Sequence, residues 1–129
     1  MQSPQTVMTI SRDEPLQATR TLLLEGIGYK VVALGSDAEV RDFLKLLDRP
    51  TPSLVLMCHS VPEKSRVALC SAIKVRYPFA PILMLYNGYD PTAAVVDGRL
   101  ENMRDPQALL DTVRLLLSTK VEKRIHNTN

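Results

Sequence analysis

Two clusters in this 129-residue chain carry side chains able to do chemistry: Arg12-Asp13-Glu14 and Cys58-His59. Acids just before a helix, as in the first, complement the partial positive charge of its N-terminus. The thiol of the second is a nucleophile once deprotonated, and a guanidinium such as that of Arg12 nearby would favour the thiolate. The plainer reading of Cys58 is a small packed hydrophobe. A metal shared by Cys58, His59 and Asp13 is not expected, because neighbouring residues at a strand end point to opposite faces. Cys58 and Cys70 match no zinc spacing and no CxxC motif, and a disulfide between them is not expected in a reducing compartment.

Both clusters sit where strands should end. Ser53 to Pro62 (Ser-Leu-Val-Leu-Met-Cys-His-Ser-Val-Pro) begins as an apolar run and closes in a polar turn, the pattern of a strand buried on both faces of a parallel sheet. Thr6 to Ser11 reads as a first strand leading into Arg12-Asp13-Glu14, with Pro15 suited to the first turn of a helix. That helix is expected over Pro15 to Glu25, with a stripe of Leu16, Thr19, Leu23 and Ile27 broadened by Leu22 and Leu24, and glycines at 26 and 28 to stop it. Tyr29 to Leu34 is a second strand. Ser36 then caps a helix whose buried face is Val40, Phe43, Leu44 and Leu47.

Beyond Pro62, Val67, Cys70, Ala72 and Ile73 mark a third helix, and Pro81 to Leu85 a fourth strand. Tyr86 to Pro91 reads as loop, with Asn87-Gly88 as a turn. Thr92 to Val96 would make a short fourth helix stopped by Gly98, and Arg99 to Asn102 a fifth strand. Asp105-Pro106 caps a last helix striped by Leu109, Leu110, Val113, Leu116 and Leu117. Strands alternating with helices through short loops predict an α/β fold, a doubly wound five-stranded parallel sheet of order 2-1-3-4-5. The crevice between its first and third strands would gather Arg12, Asp13, Glu14, Cys58 and His59.

Bulk properties agree with one domain over 1–129, its core about 6–119 and its ends, 1–5 and 120–129, flexible or frayed. An apolar fraction of 45% and a charged fraction of 23% are ordinary for a globular protein. A net charge of +2, concentrated in the tail at Lys120, Lys123 and Arg124, argues against nucleic acid as a partner. No apolar run approaches the roughly 18 residues of a membrane span, and no signal peptide opens the chain, so a cytoplasmic protein is expected.

From Thr6 to about Leu117 the sequence resembles the receiver domain of two-component response regulators, the chemotaxis-receiver, flavodoxin-like type. The resemblance rests on Asp13-Glu14-Pro15 after the first strand, Gly28-Tyr29-Lys30-Val31-Val32, Ser53 to Pro62, and Asp105-Pro106 before the last helix. In such domains several acids surround Mg²⁺ and one aspartate is phosphorylated, while a Thr/Ser, a Lys and an aromatic switch respond. Carried onto this chain, the resemblance puts Arg12 and Asp13 at the acid pair and Cys58 at the phosphoacceptor. It puts Tyr86 at the Thr/Ser, Asn87 at the small residue after it, and Asn102-Met103 at the Lys-Pro pair. Arg99 stands at the switch and Arg66 at the glycine after the third strand's loop. Asp13 is the one Mg²⁺-type acid that survives, so Mg²⁺ binding should be lost or weak.

The degenerate pocket is thus Arg12, Asp13, Glu14, Cys58, Tyr86, Asn87 and Asn102, with Arg12 paired to Asp13 or Glu14 in place of the metal. Tyr86 would lie over it, closing the pocket or only filling space. The span between Tyr86 and Asn102 is short for this family, which implies a trimmed fourth helix. The resemblance implies an atypical, phosphorylation-independent receiver rather than an enzyme. It would dock a kinase or an output protein through the first or last helix, with a homodimer as an alternative. Two rivals remain: a redox-responsive receiver using Cys58, and a small ligand-binding protein or enzyme on the same fold. The second is disfavoured because no glycine-rich phosphate loop follows the first strand.

Overall fold

The computed structural model of the chain describes residues 4–86, 96–101 and 105–127, with side chains as far as 118. Its elements are β1 (Thr6–Ile10), α1 (Glu14–Gly26), β2 (Lys30–Leu34), α2 (Asp37–Lys45), β3 (Leu54–Cys58), α3 (Glu63–Arg76), β4 (Ile82–Tyr86), β5 (Gly98–Glu101) and α4 (Pro106–Asn127). The strands form one parallel sheet in the order β2-β1-β3-β4-β5, as the sequence predicts.

Alternation along each strand sorts the core into two layers. Met8, Ile10, Val55, Met57, Ile82 and Met84 face α2 and α3 with Val40, Phe43, Leu69 and Ile73. Val7, Leu54, Leu56, Leu83 and Leu85 face α1 and α4 with Leu24, Leu109, Leu110, Val113 and Leu117. Each fully buried aliphatic side chain contributes about 1.5–3 kcal/mol relative to exposure. Because β3 alternates, Cys58 follows Leu54 and Leu56 toward the α1 side.

Capping follows the sequence closely. Asp13 accepts from Leu16 N at 3.1 Å and Ser36 from Glu39 N at 3.1 Å, each satisfying a donor that a helix start leaves open. Asp105 Oδ1 accepts from Gln107 N at the start of α4. Gly28 takes φ +104°, the left-handed geometry that turns the chain from α1 into β2 at little cost.

Several expectations need correction. The buried face of α1 is Gln17, Arg20 and Leu24, whereas Thr19 is exposed and Leu16 and Leu23 only partly covered. Two polar residues win that face because it meets the polar ends of the strands: Gln17 Nε2 donates to Thr9 O, Thr9 Oγ1 and Leu34 O at 3.0–3.1 Å. Leu47 lies beyond the end of α2 and is 88% exposed. In α3, Val67 is 38% exposed and Arg66 is buried in its stead. Tyr86 ends β4 instead of opening a loop.

Gly98 opens β5. A Cβ there would meet Leu83 Cδ1 at 3.4 Å and Leu116 Cδ1 at 3.6 Å, ordinary contact distances that place the start of β5 against α4. Of the expected fourth helix only Val96 falls within the described residues, and it is irregular. Among the described residues no helix is long and apolar enough to cross a membrane.

Candidate functional site

The carboxyl ends of β1 and β3 lie side by side, paired in register up to Ile10 and Met57. One step further, Ser11 stands opposite Cys58. Ser11 Oγ is 3.2 Å from Ser60 Oγ, and the backbone N–H of Arg12 donates to Ser60 Oγ at 2.9 Å. These bonds lock the two strand exits together. The backbone N–H of Asp13 also donates to Ser11 Oγ at 3.1 Å, which sets up the cap of α1.

Cys58 is buried, and the nearest charged side chain hydrogen-bonded to it is Arg20, whose Nη1 donates to Sγ at 3.2 Å. Arg20 reaches it from the second turn of α1 and is itself only 6% exposed. His59 Nδ1 is 3.6 Å from the same sulfur. Burial pushes the Cys58 thiol up, but the Ser60 hydroxyl and amide, the Ser11 hydroxyl and Arg20 favour the thiolate and together bring it below the ordinary value. His59 is held below its usual value by burial and by the Arg20 charge, against a pull upward from Asp13, with Arg66 adding to the lowering. Its neutral form is therefore favoured beside the sulfur.

Arg66 fixes the loop that carries His59 and Ser60. Its Nη1 donates to Val61 O at 2.8 Å and to His59 O at 3.2 Å, and its Nη2 pairs with Glu63 Oε2 at 2.5 Å. A guanidinium buried to 5% exposure needs such partners, and here they are loop carbonyls that no helix or sheet satisfies. The position that the receiver resemblance gives to a glycine thus holds a clamp.

Three site expectations change. Arg12 pairs with Asp37, at 2.5 Å, and not with Asp13 or Glu14. Asp13 instead caps α1 from an exposed position, while Asp37 at the start of α2 also accepts from Ser65 Oγ at 2.8 Å. The Ser65 bond chiefly, opposed by partial burial and aided by Arg12, holds the Asp37 carboxyl below its ordinary value. The cation at Cys58 is Arg20, not Arg12. Cys58 and His59 do not diverge, because β3 ends at Cys58 and His59 already lies in the turn.

The remaining predicted residues are spread along the sheet edge. Glu14 is exposed in the first turn of α1. Tyr86 is partly covered at the end of β4, in register with Glu101. Arg99 is exposed on β5 opposite Met84. Asn87, Asn102 and Met103 lie outside the described residues. The sequence reading missed Ser11, Arg20, Ser60 and Asp37. Arg20 was findable: 13, 17, 20 and 24 form one helical face, and Asp13 already fixed which way that face points.

Mg²⁺ does not fit this donor set. It requires oxygen ligands in octahedral array, but the mouth offers Asp13, engaged in a helix cap, Asp37, engaged by Arg12 and Ser65, and the thiol of Cys58. Among the described residues no group of three or more His, Cys, Asp or Glu side chains could hold a metal ion.

No protein-family model and no curated protein sequence matches the chain. Solved structures do. A CheY-like response regulator receiver domain protein from Methanospirillum hungatei superposes with a TM-score of 0.81 at 16% identity, over 94% of this chain and 99% of that one. The signal receiver domain of a histidine kinase from Syntrophus aciditrophicus gives 0.75 at 22% identity, over 89% and 91%. A protein described as an adenylate cyclase, from Rhodopirellula baltica, gives 0.79 at 14% identity, over 98% and 99%. At these identities the likeness establishes the fold: the chain is folded as a response-regulator receiver domain.

Proposed function

We propose that this chain is a signalling module on the receiver fold that works without aspartyl phosphorylation and acts by docking a protein partner, a kinase or an output protein. In this reading it turns over no substrate and acts in the cytoplasm. The observation that carries the proposal is at the end of β3. The place where the receiver resemblance puts the phosphoacceptor holds a buried thiol bonded to Arg20, and the mouth above it holds an Arg12–Asp37 ion pair. Phosphoryl transfer needs positive charge arranged around the incoming phosphoryl group and an acceptor oxygen. Here the positive charge is already committed to protein partners. Docking through the first or last helix finds support in Leu22 of α1 and Leu115 of α4, which are 71% and 66% exposed.

Amide NMR spectra recorded during a titration with Mg²⁺ and beryllium fluoride, a non-covalent phosphoryl mimic, test the proposal. Unchanged resonances around Asp13 and Cys58 are expected at millimolar Mg²⁺. Saturable shifts there at sub-millimolar Mg²⁺ would refute it.

A further inference from the structure

We infer that Cys58 is a built thiolate site that reacts with a small two-electron oxidant of the peroxide class, so that covalent change at sulfur replaces phosphorylation as the input to this module. The inference rests on the reading of the chain as a phosphorylation-independent receiver and names the regulation of that same site.

Four groups converge on one sulfur from three parts of the chain. Arg20 Nη1 comes from α1 at 3.2 Å, His59 Nδ1 from the turn at 3.6 Å, and the Ser11 and Ser60 hydroxyls from the exits of β1 and β3. A thiol that merely fills space has no need of this, and the second cysteine shows the contrast. Cys70 packs among Met57, Leu69 and Ile73 in the other core layer, where burial pushes its thiol up to about 11. Both cysteines are equally hidden, at 1% and 2% exposure, yet only one is surrounded by donors. Donors that hold the thiolate also hold the charge that develops on oxygen when sulfur attacks a peroxide.

Burial sets the size of the reagent. A phosphohistidine on a protein surface or a glutathione-sized thiol cannot meet a sulfur at 1% exposure, and hydrogen peroxide, scarcely larger than water, reaches it only when a neighbouring side chain moves. Arg20 also lines a cavity of about 220 Å³ between α1, β5 and α4, walled by Leu16, Leu23, Leu85, Leu100 and Leu109. One side chain thus touches both that cavity and the thiol, so its movement would open a path from one to the other.

In the step itself, the Cys58 thiolate attacks one peroxide oxygen. The S–O bond forms as the O–O bond breaks, and the hydrogen on the attacked oxygen passes to the departing one. Sulfur is oxidised by two electrons, the peroxide is reduced to one water, and Cys58 is left as a sulfenate. The added oxygen occupies the space between sulfur and its donors, so Arg20 must move. Because Arg20 lines the α1–α4 cavity, the change reaches the helices proposed to dock a partner.

The test is intact and peptide mass of the full chain after brief exposure to hydrogen peroxide, a catalase quench, and unfolding into a sulfenate-trapping carbon nucleophile, so that trapping does not depend on access to the folded site. Wild type should be trapped at Cys58 and not at Cys70. An Arg20→Gln variant should react about tenfold more slowly, the scale of losing one charge-assisted hydrogen bond, and Arg20→Lys should recover part of the rate. Equal labelling of both cysteines, or a Cys58 rate no faster than free cysteine, would overturn the inference using wild type alone. The Mg²⁺ and beryllium fluoride titration on the same batch separates the two ideas. No labelling with unchanged spectra removes only the redox input. Saturable shifts remove the phosphorylation-independent reading beneath it.

Discussion

Arg20 Nη1 lies 3.2 Å from Cys58 Sγ and joins the inner face of α1 to the end of the central strand. Thirty-eight residues apart in sequence, the two meet because β3 alternation turns Cys58 toward α1 and the Asp13 cap sets the rotation of that helix. Removing the guanidinium should raise the pH at which Cys58 ionises. Arg20→Gln in a Cys70→Ser background, followed by ultraviolet thiolate absorbance against pH, should show a higher midpoint than the Cys70→Ser parent. Folding stability should fall by roughly 1–3 kcal/mol as a buried acceptor loses its donor.

The Arg66 clamp predicts a second loss. Arg66→Met keeps the apolar stem but leaves His59 O and Val61 O without their donor, at a cost of about 1–3 kcal/mol in chemical denaturation. The β3–α3 loop should also gain amide hydrogen exchange more than the sheet does. Equal protection in both proteins would mean that the loop is held by something else.

Asp37 gives a pH dependence of known sign. Its carboxyl is held below the ordinary 3.8, so its contribution is complete above that pH and is lost as pH falls through the lower folded value. The groups are exposed to about a third or more, and solvent screening keeps the contribution within about 1 kcal/mol. Thermal melts of Asp37→Asn should match that small deficit at neutral pH and converge with wild type in strong acid.

Cys70 acts at the other end of the scale. Its thiol moves from 9.0 up to about 11, so the folded state keeps a proton that the unfolded chain releases. Stability from this group is intact below pH 9 and declines between 9 and about 11, by no more than roughly 2–3 kcal/mol. A Cys70→Ala variant should lose less stability than wild type over that interval in equilibrium unfolding.

Strand order, the caps Ser36 and Asp105, and the last helix were legible because apolar runs, turn residues and caps are local signals. The inner face of α1 was not. Leu16, Leu22, Leu23 and Leu24 look like a stripe in every direction, and the sheet edge beneath the first two turns wanted Gln17 and Arg20. Leu47 misled for a related reason: it extends the spacing of Val40, Phe43 and Leu44 past the point where α2 stops. The pairing of Arg12 with Asp37 depends on where β2 delivers α2, a tertiary fact that no spacing within 12–14 encodes. Cys58 was identified as the central substitution, but its partners come from α1 and from the turn after β3.

Intact mass after incubation with a small-molecule phosphodonor and Mg²⁺, beside a Cys58→Asp variant, tests the central claim most directly. Wild type should gain no phosphate, and Cys58→Asp should gain little, because Asp13 is engaged in the cap of α1 and Arg12 stands where the resemblance puts the other acid of the pair. A stoichiometric phosphate on wild type would contradict the account, and mapping it to Asp13 or Cys58 would identify the acceptor that the geometry argues against.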